Sequence, residues 1–172
     1  MNFEKTLQVL GRMQQDGVFG KYAIGGAVAA FLYIEPGTTF DLDVFIAWET
    51  GASGLVDLGP IYRYLGDKGY QPQREGILIE GWEVQFLPAG SALEDEALEQ
   101  AIPIEISRVP THIFSREHLM AICLKTGRPK DHARLVQFVE ESGFDEARLL
   151  AIAKRHGLEH AWEEFKKRFL SP

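Results

Sequence analysis

The most constraining feature of this 172-residue sequence is a pair of aspartates, Asp41 and Asp43, inside the apolar stretch FDLDVFIA. Side chains alternate between the two faces of a β-strand, so the apolar residues at positions 40, 42, 44 and 46 are predicted to share one face. Both aspartates then share the other face with Phe45. Burying a carboxylate without a partner is costly, so the pair must reach water at a strand end or share a positive group. Carboxylates at i and i+2 have Cβ atoms roughly 6–7 Å apart, which lets both bind one divalent cation.

A pair of glycines, Gly25 and Gly26, precedes the aspartates by about 15 residues. The segment YAIGG predicts a short buried strand that ends at the glycines, and AVAAFLYI predicts a short helix after them. Such a turn brings backbone N–H groups close to a bound phosphate at the start of a helix. The same glycines also suit a tight strand-to-helix turn that holds no ligand. Together the two features are more specific than either one alone.

The remaining pattern predicts an α/β (α+β) fold with a small mixed sheet. Helices are expected over residues 2–16, from Gly59 to Gly66 or Gly69, and after a capping box that begins at Ser91. A hairpin over 76–89 turns at Gly81, and IPIEISRVP is predicted to be one last strand. From Ser115 onward the sequence predicts helices only. We therefore expect an α/β core over residues 1–112 and a C-terminal helical segment over 113–172.

Charge and composition exclude several classes of protein. The net charge is −7, with −9 over residues 1–110 and +2 over residues 111–172, so non-specific binding of nucleic acid over the whole surface is not expected. No apolar run approaches the roughly 20 residues of a membrane span, and the acidic N-terminal segment lacks the regions of a signal peptide. Cys123 is the single cysteine, which excludes an intramolecular disulfide and a cysteine zinc cluster. A cytoplasmic protein without a membrane partner is the expectation.

Two segments carry a resemblance to a known family. GGAVAAFLYIEPGTTFDLDVFI is similar to the opening of the nucleotidyltransferase superfamily with the polymerase-β-like fold, in which a glycine pair precedes D-x-D on the next strand. Downstream, AICLKTGRPKD resembles the helix and the following Gly-Arg-x-Lys-Asp of small bacterial AbiEii-type nucleotidyltransferases, which are the toxins of some toxin–antitoxin pairs. The resemblance spans roughly residues 20–140.

This resemblance implies a set of site residues. Asp41 and Asp43 would bind Mg²⁺ (or Mn²⁺) that bridges the phosphates of a nucleoside triphosphate, and both would be catalytic. The implied nucleotide-binding residues are Gly25, Gly26, Thr39 (or its neighbour Thr38), Arg128 and Lys130. Glu83 and Lys130 complete the implied catalytic set. Turn capping would explain the threonines equally well.

Two positions depart from the family pattern. The third carboxylate is expected on the strand WEVQFL, where the best match is the neutral Gln85. Glu83 lies two residues earlier on the same predicted face and would substitute for it, unless both side chains belong to a solvated edge strand. The family lysine falls at Cys123, and Lys125 is rotated by about 200° around the helix from that position. A buried structural thiol is the expectation for Cys123.

The sequence therefore supports two hypotheses. The first is a Mg²⁺-dependent nucleotidyltransferase that transfers a nucleoside monophosphate from an NTP to a hydroxyl of tRNA, another RNA or a protein. The alternative is a catalytically degenerate module of the same fold, motivated by Gln85 and Cys123, that binds a nucleotide or a partner protein such as an antitoxin. A scaffold whose site is completed by a partner subunit is a third possibility.

Overall fold

Seven strands form one mixed sheet in the computed structural model, which describes residues 1–47, 57–141 and 143–170. The strands are β1 (Tyr22–Ile24), β2 (Asp41–Ile46), β3 (Gln71–Gln73), β4 (Gly76–Ile79), β5 (Trp82–Pro88), β6 (Ile102–Ile106) and β7 (Val109–Ile113). Their order across the sheet is β3-β4-β5-β2-β1-β7-β6. β2 pairs antiparallel with β1 and parallel with β5, and β1 pairs parallel with β7. The predicted mixed α+β fold is confirmed.

β2 lies near the middle of the sheet and has the alternation that the sequence predicts. Leu42, Val44 and Ile46 are fully buried on one face, whereas the side chains of both aspartates remain partly exposed on the other. Phe40 precedes the strand and is 67% exposed, so burial on this face begins only at Leu42. The ladder with β5 begins one residue after Phe40, at Asp41.

The helices are α1 (Phe3–Gln15), α2 (Gly26–Ala30), α3 (Gly59–Asp67), α4 (Ala92–Glu99), α5 (Arg116–Thr126), α6 (Pro129–Glu140), α7 (Glu146–Arg155) and α8 (Glu159–Phe165), followed by a π-helical turn at Lys166–Leu170. Local chemistry explains several of their starts. Ser91 and Ser115 each accept a hydrogen bond from the backbone N–H three residues later, as predicted for N-caps. No helix in the described ranges has both the length and the apolar character that a membrane crossing requires.

One predicted strand is in fact a hairpin. IPIEISRVP divides into β6 and the start of β7, which pair antiparallel around Ser107 and Arg108. Both turn residues have positive φ, 51° and 66°. A two-residue turn of this kind usually has Asn or Gly at these positions, and their absence hides it from sequence patterns. The exposed edge strand β3 was also missed, because its sequence QPQ is polar and contains a proline.

α5 determines how the helices meet the sheet. It packs against α2, α4, α6, α7 and α8. Seven of its eleven residues are buried, including Met120 and Cys123. This helix therefore brings the start of α6 towards the aspartates of β2. The predicted division of the chain at residue 112 stays a prediction.

Candidate active site

A cavity of about 660 Å³ lies between the sheet and the helices α5 and α6. The sheet contributes Asp41, Asp43 and Gln85 to its lining, and the turn after β1 contributes Gly26. The helices contribute three basic side chains together with polar and acidic ones, namely those of Glu94, Cys123, Thr126, Arg128, Lys130, Asp131 and Arg134. The cavity thus has a carboxylate wall and a basic wall that face each other.

The glycine pair packs directly against the second aspartate. The backbone N–H of Gly25 donates to the carbonyl oxygen of Asp43 at 3.0 Å. Gly26 has a φ of +56°, and a Cβ added there would overlap the Asp43 carboxylate, with Cγ only 2.7 Å away. A Cβ at Gly25 would lie 2.8 Å from Cδ2 of Phe45. Close packing therefore requires both glycines, and it places their backbone beside the carboxylate pair.

Electrostatics distinguish Asp43 from an ordinary surface carboxylate. Burial raises the pKa of Asp43, and the neighbouring charge of Asp41 raises it further. Lys130, Arg134 and Arg128 act in the opposite direction and lower this pKa. The site therefore disfavours the ionised form of Asp43, and a cation bound beside it would favour that form.

Arg128 is held at the start of α6 by a buried carboxylate. Asp131, which is 1% exposed, accepts hydrogen bonds from Nε of Arg128 at 2.7 Å and from its Nη2 at 3.2 Å. The hydroxyl of Thr126 donates to the same carboxylate at 2.7 Å. Burial alone would raise the pKa of Asp131, but the bonds from Arg128 and Thr126 lower it. Asp131 therefore acts structurally, and it compensates much of the Arg128 charge.

Lys130 and Arg134 lie one helical turn apart on α6 and both line the cavity. Within the described ranges, neither has a carboxylate at ion-pair distance. Lys130 was predicted as a site residue, whereas Arg134 was not. The available signal was the i, i+4 spacing between Lys130, within GRPKD, and Arg134, three residues after it. Which way these side chains point depends on how α6 packs on α5.

Strand register separates the two candidate positions for a third carboxylate, Glu83 and Gln85. In the parallel pairing of β2 with β5, Asp41 lies beside Glu83 and Asp43 lies beside Gln85. Glu83 faces an adjoining cavity of about 430 Å³, which it shares with Asp41 and Gln85 but not with Asp43. The residue next to Asp43 is therefore the neutral Gln85, which is also the best match to the position of the family's third carboxylate.

Glu83 also holds the turn between β3 and β4. It is 9% exposed, and its Oε1 accepts a hydrogen bond from the backbone N–H of Glu75 at 3.3 Å. Nη1 of Arg74 lies 3.8 Å from its Oε2. Glu75, which sequence reasoning missed, lines both cavities. It comes from a polar turn 34 positions after Asp41, and no local pattern connects the two.

Thr38 and Thr39 line both cavities, at the mouth beside Asp41. The hydroxyl of Thr39 donates a short hydrogen bond to Oδ1 of Asp41. This bond orients the Asp41 carboxylate. Turn capping and phosphate binding by the threonines, the alternatives that the sequence left open, both stay predictions.

The donor set of Asp41 and Asp43 fits a hard divalent cation. Carboxylate oxygens are the ligands that Mg²⁺ and Mn²⁺ prefer. In the part of the chain that the structure describes, no group of three or more His, Cys, Asp or Glu side chains has the arrangement of a complete metal site. A cation here would take its remaining ligands from substrate phosphates and water, as Mg²⁺ commonly does.

The architecture is a mixed α+β fold that matches the fold of nucleotidyltransferase-like proteins. The chain is similar to an antigenic nucleotidyltransferase-like protein from Paracoccidioides brasiliensis, with a TM-score of 0.55 and 15% identity over 95% of this chain and 94% of that chain. It is also similar to the antibiotic-resistance factor ANT(2'')-Ia, with a TM-score of 0.52 and 19% identity over 94% of this chain and 97% of that chain. At these identities the similarity shows the fold alone. No protein family and no curated protein matches the sequence.

Proposed function

We propose that this protein is a nucleotidyltransferase that moves a nucleoside monophosphate from an NTP to an acceptor hydroxyl. The observation that carries this proposal is the cleft in which Asp41 and Asp43 face Lys130 and the other basic side chains of the α6 wall. A triphosphate with a divalent cation matches both walls, because the cation offsets the carboxylate repulsion and the phosphates match the basic groups. Mg²⁺, or Mn²⁺, would be held by Asp41 and Asp43 and would neutralise charge on the phosphates.

The proposed nucleotide contacts follow the two walls of the cleft. Lys130 and Arg128 would contact the triphosphate from the helical side. The backbone at Gly25 and Gly26 would approach it beside Asp43. Thr39 would orient Asp41 through the hydrogen bond described above.

The acceptor would enter from the smaller cavity, where Glu83 and Asp41 lie side by side. The acceptor hydroxyl oxygen would attack the α-phosphorus while Glu83 takes the hydroxyl proton. The bond between the α-phosphorus and the bridging oxygen to the β-phosphate would break, and pyrophosphate would leave. The NTP and the acceptor are the only reactants that this transfer consumes.

A transfer assay tests this proposal. The protein is incubated with each α-³²P-labelled NTP, Mg²⁺ and either total tRNA or a protein mixture. The Asp41→Asn, Asp43→Asn double variant should abolish transfer, and the matched control Asp67→Asn, an exposed residue at the end of α3, should retain it. Equal transfer by the double variant would refute the proposal. The resemblance to AbiEii-type toxins motivates the tRNA arm and a search for an antitoxin-like partner.

A second candidate function is nucleotide binding without transfer. The pairing of Asp43 with the neutral Gln85 favours it, because phosphoryl-transfer sites commonly use an additional carboxylate. Metal-dependent binding of an NTP that requires Asp41 and Asp43, with no transfer to any acceptor, would support this alternative. Absence of NTP binding would exclude both functions.

A further inference from the structure

The wall of the cleft formed by α5 has no charge at its centre. Cys123 is 4% exposed, and burial raises the pKa of its thiol to about 11. The thiol is therefore neutral near pH 7 and gives no positive charge to a bound anion. A cleft that binds a triphosphate needs such a charge beside its carboxylates, because the phosphates bring several negative charges.

Arg134 brings a guanidinium to this part of the cleft from α6. It lines the cavity together with Cys123, Asp41 and Asp43, and its charge lowers the pKa values of Cys123 and Asp43. It therefore lies near both the buried thiol of α5 and the carboxylates of β2. A neutral thiol is a weak acceptor, so Cys123 is a poor structural reason to keep a guanidinium half-buried there.

The neighbouring arginine provides the contrast. Arg128 donates two side-chain hydrogen bonds to Asp131, which compensates its charge. Within the described ranges, Arg134 has no carboxylate at ion-pair distance, although it lines the same cavity as Asp41 and Asp43. A guanidinium has a planar fork that matches two phosphate oxygens. Arg128 keeps further N–H donors, but of the two arginines Arg134 is the one whose charge is not paired with a carboxylate of the described ranges.

We propose that Arg134 binds the β- and γ-phosphates of the NTP, which leave together as pyrophosphate. It supplies from α6 the positive charge that Cys123 does not supply from α5. This inference rests on the proposed function. Arg134 is a binding residue for the triphosphate part of any NTP, so its contribution is independent of the base. Lys130, one turn earlier on the same helix, would flank the same phosphates.

Calorimetric titration with Mg²⁺–tripolyphosphate and with each Mg²⁺–NTP tests this role. Arg134→Gln keeps a polar side chain with the same first three carbons but removes the charge, and it should weaken binding of every probe by about tenfold to a hundredfold. Arg134→Lys should recover most of the affinity because it restores the charge. The matched control Arg63→Gln, an exposed residue of α3, should bind like the wild type.

A charge-relocation variant adds a readout that a purely structural role would not produce. Cys123→Lys with Arg134→Ala places the positive charge on α5 and should bind more tightly than Arg134→Ala alone. Wild-type affinity in Arg134→Gln, alongside lost binding in the Asp41→Asn, Asp43→Asn variant, would overturn the role of Arg134 and leave the proposed function intact. Failure of the wild type to bind any NTP or tripolyphosphate would overturn both.

Discussion

Replacing Gly26 by alanine should show that this glycine is present to make room for Asp43. Gly26 has a φ of +56°, a left-handed conformation that costs an L-residue about 1–2 kcal/mol. The added methyl group would also overlap the Asp43 carboxylate. Overpacking of this kind costs about 1–3 kcal/mol when neighbours must shift. Gly26→Ala is therefore expected to lower the free energy of unfolding by about 2–5 kcal/mol.

A matched control separates the two contributions. Gly157 follows α7 with a φ of +67°, and an added Cβ there has no atom within 4 Å. Gly157→Ala should therefore cost only the backbone strain of about 1–2 kcal/mol. Urea denaturation of both variants, followed by circular dichroism, measures the difference between them.

A double-mutant cycle assigns the excess cost to the carboxylate. Asp43→Ala removes the carboxylate that the new methyl group would overlap and leaves only the Cβ of residue 43 close to it, at 3.0 Å. The two substitutions should therefore be coupled by about 1–3 kcal/mol in the relieving direction. The reasoning would be refuted if Gly26→Ala were no more destabilising than Gly157→Ala. It would also fail if Asp43→Ala relieved none of the excess.

Three further predictions concern titration and chemistry. The pKa of Glu96 is lowered from its usual 4.5 to about 2, mainly because Arg155 donates a hydrogen bond to it. Glu96 should therefore stabilise the fold above about pH 5 and lose that effect as the pH falls towards 2. Glu96→Gln should therefore lower the free energy of unfolding by about 1–3 kcal/mol at pH 7 but change it little at pH 2. Chemical denaturation at the two pH values measures this difference, and an equal loss at both would contradict the prediction. The Cys123 thiol should resist alkylation by iodoacetamide at pH 8 in the native protein and react in urea, and rapid native labelling would contradict its burial. Glu83→Gln should lower the rate of transfer by about 10²–10⁴-fold. It should leave the dissociation constant for Mg²⁺–NTP unchanged, because Glu83 lines the smaller cavity and not the larger one. A weakened affinity for NTP would place Glu83 in the nucleotide site instead.

Patterns within a few residues were sufficient for much of the fold. The alternation around Asp41 and Asp43 correctly predicted a strand with one apolar face. Ser91 and Ser115 correctly predicted the starts of α4 and α5, because a cap is an interaction between residues three apart. The hairpin around Gly81 was predicted from its turn glycine, which has a φ of +91°. In contrast, the positive-φ turn at Ser107 and Arg108 has no glycine or asparagine and was missed.

The sequence by itself determined the carboxylate half of the candidate site, because the glycine pair and the two aspartates lie on consecutive elements. Only the tertiary structure decided what faces them. The register of β2 with β5 separates Glu83 from Asp43, and the packing of α6 on α5 brings Arg134 to Cys123. These arrangements join residues that are distant in the chain or lie on different helices. They depend on how whole elements pack, and no local periodicity encodes them.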